Sequence, residues 1–148
     1  MTLNPLSSEP GPEGRTCHSC VWHFVGGRGR PVSRCRRHAS SRLEPNWPAC
    51  SAYTDHLDCL QCGACCREAY HAVEVGPRDA FVRQHEDKVI SVDGRLNVIR
   101  NAGICGCLKP KDGCWPCGVY EDRPKTCRDF EAAGVNCVDA RVRLGLTP

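Results

Sequence analysis

The 148-residue chain has a mild formal net charge of +3 and a mean hydropathy of −0.43. Only 6 % of its residues are Phe, Trp or Tyr, which argues against a large aromatic core. No run approaches the roughly 18 apolar residues that a transmembrane helix needs. Cysteine is the anomaly at 14 residues, a content typical of small domains that rely on disulfides or metals to offset chain entropy.

Residues 1–15 are rich in Pro, Gly, Ser and Glu and predict a disordered lead-in. They contain neither the basic nor the apolar region of a secretory signal, so we expect a cytoplasmic protein. In a reducing compartment, clustered cysteines more often bind metal than form disulfides. Metal ligation is therefore the favoured interpretation, and a disulfide framework is the alternative.

The first four cysteines follow the pattern C-x2-C-x14-C-x14-C and define a predicted module at residues 16–54. Glycine- and proline-containing loops separate them, which predicts a short hairpin near residues 21–25 and 32–35 and little helix. Four thiolates that include a local CxxC pair can enclose one tetrahedral zinc or one cubane cluster. These cysteines are Cys17, Cys20, Cys35 and Cys50.

Aromatic residues are interleaved with these cysteines, among them Trp22, Phe24 and Trp47. An apolar shell excludes water from an iron–sulfur cluster and tunes its potential, whereas structural zinc tolerates a polar shell. The spacing and the aromatic content resemble a high-potential iron–sulfur protein and the small cluster-bearing subunits of some glycyl-radical enzymes. The resemblance implies a [4Fe–4S] cluster on the four cysteines, with a four-thiolate zinc site at the same residues as the alternative.

The middle of this module is rich in arginine. Arginines there can balance the negative charge of a thiolate site or dock an acidic protein partner. Nucleic acid is less favoured, because the chain has no second basic tract and no helix-turn-helix pattern. The arginines are Arg28, Arg30, Arg34, Arg36, Arg37 and Arg42.

The densest cysteine stretch is Cys59-x2-Cys62-x2-Cys65-Cys66. Gly63 permits the tight backbone that brings the second and third thiols together. Adjacent cysteines point in different directions, so Cys65 and Cys66 are not expected to serve one mononuclear site. The pair instead indicates two metals or a cluster.

Residues 73–99 carry ordinary secondary-structure signals. Gly76-Pro77 followed by an acidic residue predicts the start of a helix of about ten to thirteen residues. Asp93-Gly94 lies between two apolar runs and predicts a hairpin with a type I′ turn. We interpret both elements as scaffold.

The last third of the chain is again rich in cysteine. CxxCGxCCR at residues 59–67 and C-x-V-Y-x-x-R-P-x-x-C-R-x-F at residues 117–130 together resemble the CxxCxxCC cysteine-cluster family (YkgJ-like), which is associated with zinc or iron chelation, over residues 59–137. The resemblance leaves Cys105 and Cys114 without an assigned role. It implies eight metal ligands: Cys59, Cys62, Cys65, Cys66, Cys107, Cys117, Cys127 and Cys137.

Eight thiols suit two four-thiolate sites, or one cluster and one mononuclear ion, and leave an iron–sulfur cluster, iron and zinc open as the second cofactor. We expect a small, metal-stapled, irregular α+β fold with one or two short helices and a short hairpin. We also expect a cysteine-cluster domain at residues 55–148.

The functional prediction is a metal-binding protein that transfers electrons or supports a partner enzyme. A structural zinc adaptor is the alternative, and a non-haem iron enzyme acting on a peptide or small molecule is the second alternative. No catalytic motif is present and the six histidines are scattered, although Glu68 and His71 lie nearest the CxxCxxCC stretch. We expect a protein partner such as a redox enzyme, rather than nucleic acid or a membrane.

Overall fold

The computed structural model describes residues 3–69 and 71–146. The chain divides into two compact units, one up to residue 57 and one from residue 58. Both contain short helical turns and small antiparallel sheets, which confirms the irregular α+β class. None of the helices in these ranges is long and apolar enough to cross a membrane.

The first unit is built on a three-stranded antiparallel sheet of β1 (His23–Gly26), β2 (Val32–Cys35) and β3 (Ser41–Arg42). The β1–β2 pair confirms the predicted hairpin, and the regular helical structure described in this unit is a single 3₁₀ turn at Cys17–Ser19. Trp22 is 2 % exposed and is the largest buried side chain of the unit. Its carbonyl accepts the Arg36 N–H, which fixes the end of the hairpin.

The sequence predicts disorder for residues 1–15, but residues 4–11 make specific contacts with the far end of the unit. Gly11 N–H donates to the Ala49 carbonyl, and the Asn4 side chain is buried and donates to the Pro48 carbonyl at 2.8 Å. These hydrogen bonds give the segment a defined path even though its composition is poor in apolar residues.

In its described residues, the second unit has four α-helices and four strands. The helices are α1 (Cys59–Cys62), α2 (Ala80–Gln84), α3 (Lys125–Arg128) and α4 (Val135–Arg143). The strands are β4 (Val89–Val92), β5 (Arg95–Val98), β6 (Arg100–Asn101) and β7 (Ile104–Cys105), which pair as the antiparallel hairpins β4–β5 and β6–β7. A π-helical turn occupies Cys65–Ala69, and 3₁₀ turns occupy Glu86–Lys88 and Tyr120–Asp122.

The β4–β5 hairpin confirms the predicted turn, because Asp93 and Gly94 have φ values of 50° and 75°, as a type I′ turn requires. The predicted helix of ten to thirteen residues was too long. It ends at Gln84 because Val89 and Ile90 pair with β5 instead of continuing the helix.

The apolar core of the second unit surrounds Phe81, which is fully buried. Three partly buried thiols pack against this core: Cys105, Cys117 and Cys127. The core residues are Val73, Val75, Phe81, Val98, Cys107 and Val119. These three thiols therefore contribute to the apolar packing of the second unit.

Candidate metal centres

All fourteen cysteines are free thiols, four in the first unit and ten in the second. Free thiols at this density have the donor chemistry of soft metal ions and iron–sulfur clusters. Each unit therefore contains its own candidate centre.

In the first unit, the four predicted ligands converge on one small cavity. We call Cys17, Cys20, Cys35 and Cys50 the first thiol group, and all four line this cavity. The apolar side chains of Leu6, Leu43, Ala49 and Tyr53 complete much of its wall. Chain segments more than thirty residues apart thus present four sulfurs to one enclosed space.

Hydrogen bonds reach these sulfurs from side chains and from the backbone. Asn4 Nδ2 donates to Cys17 Sγ at 3.1 Å. Burial raises the pKa of Cys17, and the hydrogen bond from Asn4 opposes that rise. Burial likewise raises the pKa of Cys35, whereas backbone hydrogen bonds from His38 and Arg37 lower it. Donors of this kind stabilise a thiolate and tune a bound metal.

Sequence reasoning missed three residues at this cavity. His23 and His38 both line it, and His38 Nε2 lies 3.6 Å from Cys50 Sγ. Asn4 lines it from the segment predicted to be disordered. The proximity of His38 to Cys35 in sequence was the available signal, but only the β1–β2–β3 sheet brings it to Cys50.

In the second unit, α1 and the glycine after it set the first two thiols. Asp58 caps α1 by accepting the N–H groups of Leu60 and Gln61. Gly63 ends the helix in the left-handed conformation at φ 56°, and a Cβ there would lie 2.6 Å from Trp115 Cβ. Glycine is therefore required both by the backbone and by the close approach of Trp115.

The π-helical turn begins with the adjacent pair Cys65 and Cys66, whose sulfurs are 3.8 Å apart. Two thiolates on one tetrahedral ion with metal–sulfur bonds of about 2.3 Å are also about 3.8 Å apart. This separation would also suit two ligands of one ion, and the expectation that the pair indicates two metals or a cluster stays a prediction. The wider helical turn brings the two sulfurs together.

The π-helical turn that begins at Cys65 packs against both α4 and β7. Cys137 lies on α4 and Cys105 on β7. We call Cys59, Cys62 and Cys137 the α4-side thiols, and Cys105, Cys117 and Cys127 the β7-side thiols.

Electrostatic interactions connect Cys65 to both sets. Burial, and then the charges of Cys65, Cys137 and Cys62, raise the pKa of Cys59. Burial, and then the charges of Cys105, Cys117 and Cys65, raise the pKa of Cys127 to about 11. The charges of these thiolates therefore disfavour one another's ionisation.

Two neighbouring thiol pairs stand out by their hydrogen bonds. The hydrogen bond with Cys66 lowers the pKa of Cys65 to about 7, and the one with Cys107 lowers the pKa of Cys105 to about 6. The same hydrogen bonds, and then burial, raise the pKa values of Cys66 and Cys107. In each pair the two sulfurs therefore share one proton more readily than they both ionise.

Cys105, which sequence reasoning left without a role, is central to the β7-side thiols. Its charge raises the pKa values of Cys66, Cys117 and Cys127. Cys114 instead closes a turn by exchanging backbone hydrogen bonds with Lys111. Cys105 and Cys114 therefore differ: Cys105 interacts with other thiols, whereas Cys114 belongs to a backbone turn.

Arginines act on both the α4-side and the β7-side thiols, which together with Cys65 and Cys66 we call the second thiol group. Arg141 Nη1 donates to Cys62 Sγ at 3.2 Å. Arg100 pairs with Cys105 across the β6–β7 ladder, and its charge lowers the pKa of Cys105 after the hydrogen bond with Cys107 and other larger effects. Arg123 carries charge that opposes the raised pKa values of Cys117 and Cys127. This arrangement suits a centre of net negative charge.

The side chains around each group of thiols suit a bound metal. In the second unit, Arg100 Nη1 is buried and has no hydrogen-bond partner among the described residues. A buried charged donor beside Cys105 is satisfied by a metal-bound, negatively charged sulfur. In the first unit, the apolar walls and the four converging sulfurs are the corresponding observation.

Neither group is closed around a single ion. Within residues 3–69 and 71–146, no three His, Cys, Asp or Glu side chains are gathered closely enough to hold one metal ion as they stand. Binding therefore requires the sulfurs to draw together by side-chain rotation, or a polynuclear group that spans their wider spacing.

Four polar side chains near the cysteines either lie exposed at the surface or make local contacts. Glu68 and His71 are exposed, and the Glu68 carbonyl accepts a hydrogen bond from Arg143. Arg123 donates to the Tyr120 carbonyl and lies 3.8 Å over its ring. These contacts hold Arg123 and Tyr120 against each other.

Comparison with known proteins identifies the second unit. Residues 58–143 match the profile of the CxxCxxCC family, described as a "putative zinc- or iron-chelating domain". The chain belongs to the CxxCxxCC family. The match begins at the residue where the second structural unit begins. It does not include the first thiol group, whose resemblance to high-potential iron–sulfur proteins stays a prediction.

Among CxxCxxCC relatives, the chain is similar to the uncharacterized protein YkgJ of Escherichia coli O157:H7. The two are 30 % identical over 104 residues, which cover 61 % of this chain and 94 % of the relative. No solved structure matches the chain. Metal chelation is thus supported for the second unit by the family match.

Proposed function

We propose that this CxxCxxCC protein contains two separate metal centres, a [4Fe–4S] cluster in the first unit and a zinc, iron or iron–sulfur centre in the second. The first thiol group carries the proposal, because four sulfurs from distant segments line one cavity with apolar walls. The proposed protein works in a reducing compartment such as the cytoplasm, where these thiols remain available as ligands.

The surroundings of the first thiol group favour a cluster over zinc. Leu6, Leu43 and Ala49 exclude water from the cavity, and Asn4 donates to the Cys17 sulfur. Hydrogen bonds to sulfur and burial are two of the means by which a protein sets the potential of a cluster.

The proposed role is electron transfer, or support of a partner enzyme. A bound cluster supplies one-electron chemistry, and the chain supplies its enclosure. Arg34 and Arg42 are directly opposite across β2 and β3, and Arg42 also forms an exposed ion pair with Glu44. Like charges opposite each other do not stabilise a sheet, so this pair supports the docking of an acidic protein partner.

A structural zinc adaptor is the second candidate, and one distance favours it. Cys65 and Cys66 have the sulfur separation of two ligands on one tetrahedral ion. Trp22 and Phe81 are the largest fully buried side chains described, so a metal would contribute much of the folding free energy. In this case the protein would lack a metal-centred redox couple.

Anaerobic purification followed by elemental and sulfide analysis separates the two candidates. The cluster proposal predicts brown protein that absorbs near about 400 nm, with iron and inorganic sulfide lost on replacement of Cys17 or Cys35 by serine. Cys114→Ser is the matched control and keeps the colour. Colourless protein that holds stoichiometric zinc and no sulfide would refute the cluster.

A further inference from the structure

The N-terminal segment closes one side of the first thiol group. We call residues 4–11 the strap, and its Asn4 side chain lines the cavity together with the four cysteines. At the other end of the strap, Pro10 forms an antiparallel bridge with Cys50. A Cβ on Gly11 would lie 2.2 Å from the Cys50 carbonyl oxygen, so the two backbones are in close contact. This end of the strap is therefore fixed beside one of the candidate ligands.

Asn4 holds the opposite end of the strap. It is 2 % exposed and is the only buried polar residue in the part of the chain that the structure describes. Its Nδ2 donates to Cys17 Sγ at 3.1 Å and to the Pro48 carbonyl at 2.8 Å. Its Oδ1 accepts the Leu6 N–H at 2.9 Å. Both amide hydrogens and the amide oxygen thus have partners, which a buried polar side chain needs if it is not to destabilise the fold.

Little apolar packing supports the strap between its two ends. Leu6 is its one large apolar side chain and is only partly buried, whereas Pro5, Ser8 and Glu9 are exposed. Segments with few buried apolar contacts open locally at a low cost in free energy. The hydrogen bonds of Asn4 therefore contribute much of what keeps the strap closed.

We propose that the strap is a lid over the first thiol group and that Asn4 is its latch. In the closed state the strap covers Cys17 and Cys50, each of which is 8 % exposed, and the Asn4 amide holds the Cys17 sulfur in place. Opening of the strap gives metal ions and chelators access to these sulfurs. The proposal rests on metal binding by the first unit and deepens it, because it names the segment that controls exchange of the metal with solution.

Cysteine modification during metal loss provides the test, because it follows the two units separately. The anaerobically purified full chain, with its metal content determined, is treated with a chelator and N-ethylmaleimide, and mass spectrometry follows the modification of each cysteine. Asn4→Leu keeps a side chain of similar size but loses both donors, so Cys17 should be modified about tenfold faster. Ser8→Ala changes an exposed strap residue and should leave that rate unchanged. Cys137, which is buried in the second unit, should react at the wild-type rate in both variants.

The possible results separate the lid from the metal centre that it covers. An unchanged rate at Cys17 in Asn4→Leu would overturn the lid, and an equal rise at Cys137 would overturn a latch that acts on the first unit alone. A wild-type first unit that contains no metal would instead refute the proposed metal centre. The lid would then still be supported if protection of Cys17 depended on Asn4.

Hydrogen exchange of the wild-type protein decides the question even if Asn4→Leu cannot be purified. Peptides from the strap should be protected, because Asn4 and the residues near Cys50 bond its N–H groups. They should nevertheless exchange much faster than peptides from β2, since the lid opens without unfolding of the sheet. Strap peptides that lack protection, or that exchange at the same rate as β2, would overturn the proposal.

Discussion

Gly63 offers a quantitative test of how the CxxCxxCC stretch is held. An alanine at φ 56° costs about 1–2 kcal/mol, because an L-residue is strained in the left-handed region. Its Cβ would also lie 2.6 and 2.7 Å from two Trp115 side-chain atoms. Trp115 cannot easily retreat, since its N–H donates to the Leu60 carbonyl at 2.7 Å and Arg67 stacks 4.0 Å over its ring.

Overpacking of this kind typically costs about 1–3 kcal/mol. Gly63→Ala is therefore expected to lower the free energy of unfolding by about 2–5 kcal/mol, a large part of the roughly 5–15 kcal/mol of a typical domain. Gly94→Ala is the matched control, because Gly94 also has positive φ, at 75°, but no atom lies within 4 Å of the added Cβ. It should lose only the strain of about 1–2 kcal/mol.

Guanidinium unfolding followed by far-ultraviolet circular dichroism measures the difference, with the free metal concentration held fixed because bound metal adds to stability. The difference between Gly63→Ala and Gly94→Ala should shrink in a Trp115→Ala background, where the clash is gone. Equal losses for the two glycine variants would refute the close approach of Trp115.

Two further predictions concern caps and charges. Asp79 accepts the N–H groups of Phe81 and Lys125, so Asp79→Ala should cost about 1–2 kcal/mol at pH 7, measured by urea unfolding. The hydrogen bond from the Lys125 N–H holds the pKa of Asp79 below its ordinary value. The stabilisation by Asp79 is therefore present above about pH 4 and is lost as the pH falls through the lowered pKa. A cost of Asp79→Ala that persists at about pH 2 would contradict this reasoning. Arg141→Gln removes the hydrogen-bond donor to Cys62 and should speed metal release to a chelator several-fold. Arg95→Gln removes an exposed ion pair with Glu74 and should leave the release rate unchanged. Equal release rates for the two variants would contradict the role of Arg141.

Short sequence motifs predicted the elements whose backbone conformation is set by residues adjacent in the chain. Asp93-Gly94 fixed the type I′ turn because few other residues adopt positive φ at both turn positions. The end of α2 was not predictable in the same way. Val89 and Ile90 suit a helix face or a strand, and pairing with residues seven and nine positions away selects the strand.

The candidate ligands were predictable as a set but not as individual partners. CxxC spacing marks Cys59 and Cys62, whereas the importance of Cys105 depends on its pairing with Arg100 and on packing against the π-helical turn. Asn4 was missed for a related reason, because its contact with Cys17 joins segments whose composition carries no such signal. Long-range packing determines these contacts.

The central claim is that the two thiol groups form independent metal centres. The most direct test is to load two double variants anaerobically with iron, sulfide and zinc: Cys17→Ser with Cys35→Ser, and Cys59→Ser with Cys137→Ser. Elemental analysis and electron paramagnetic resonance spectra should show that each double variant loses only the metal of its own unit and keeps the signal of the other. Loss of every metal signal in either double variant would contradict the account.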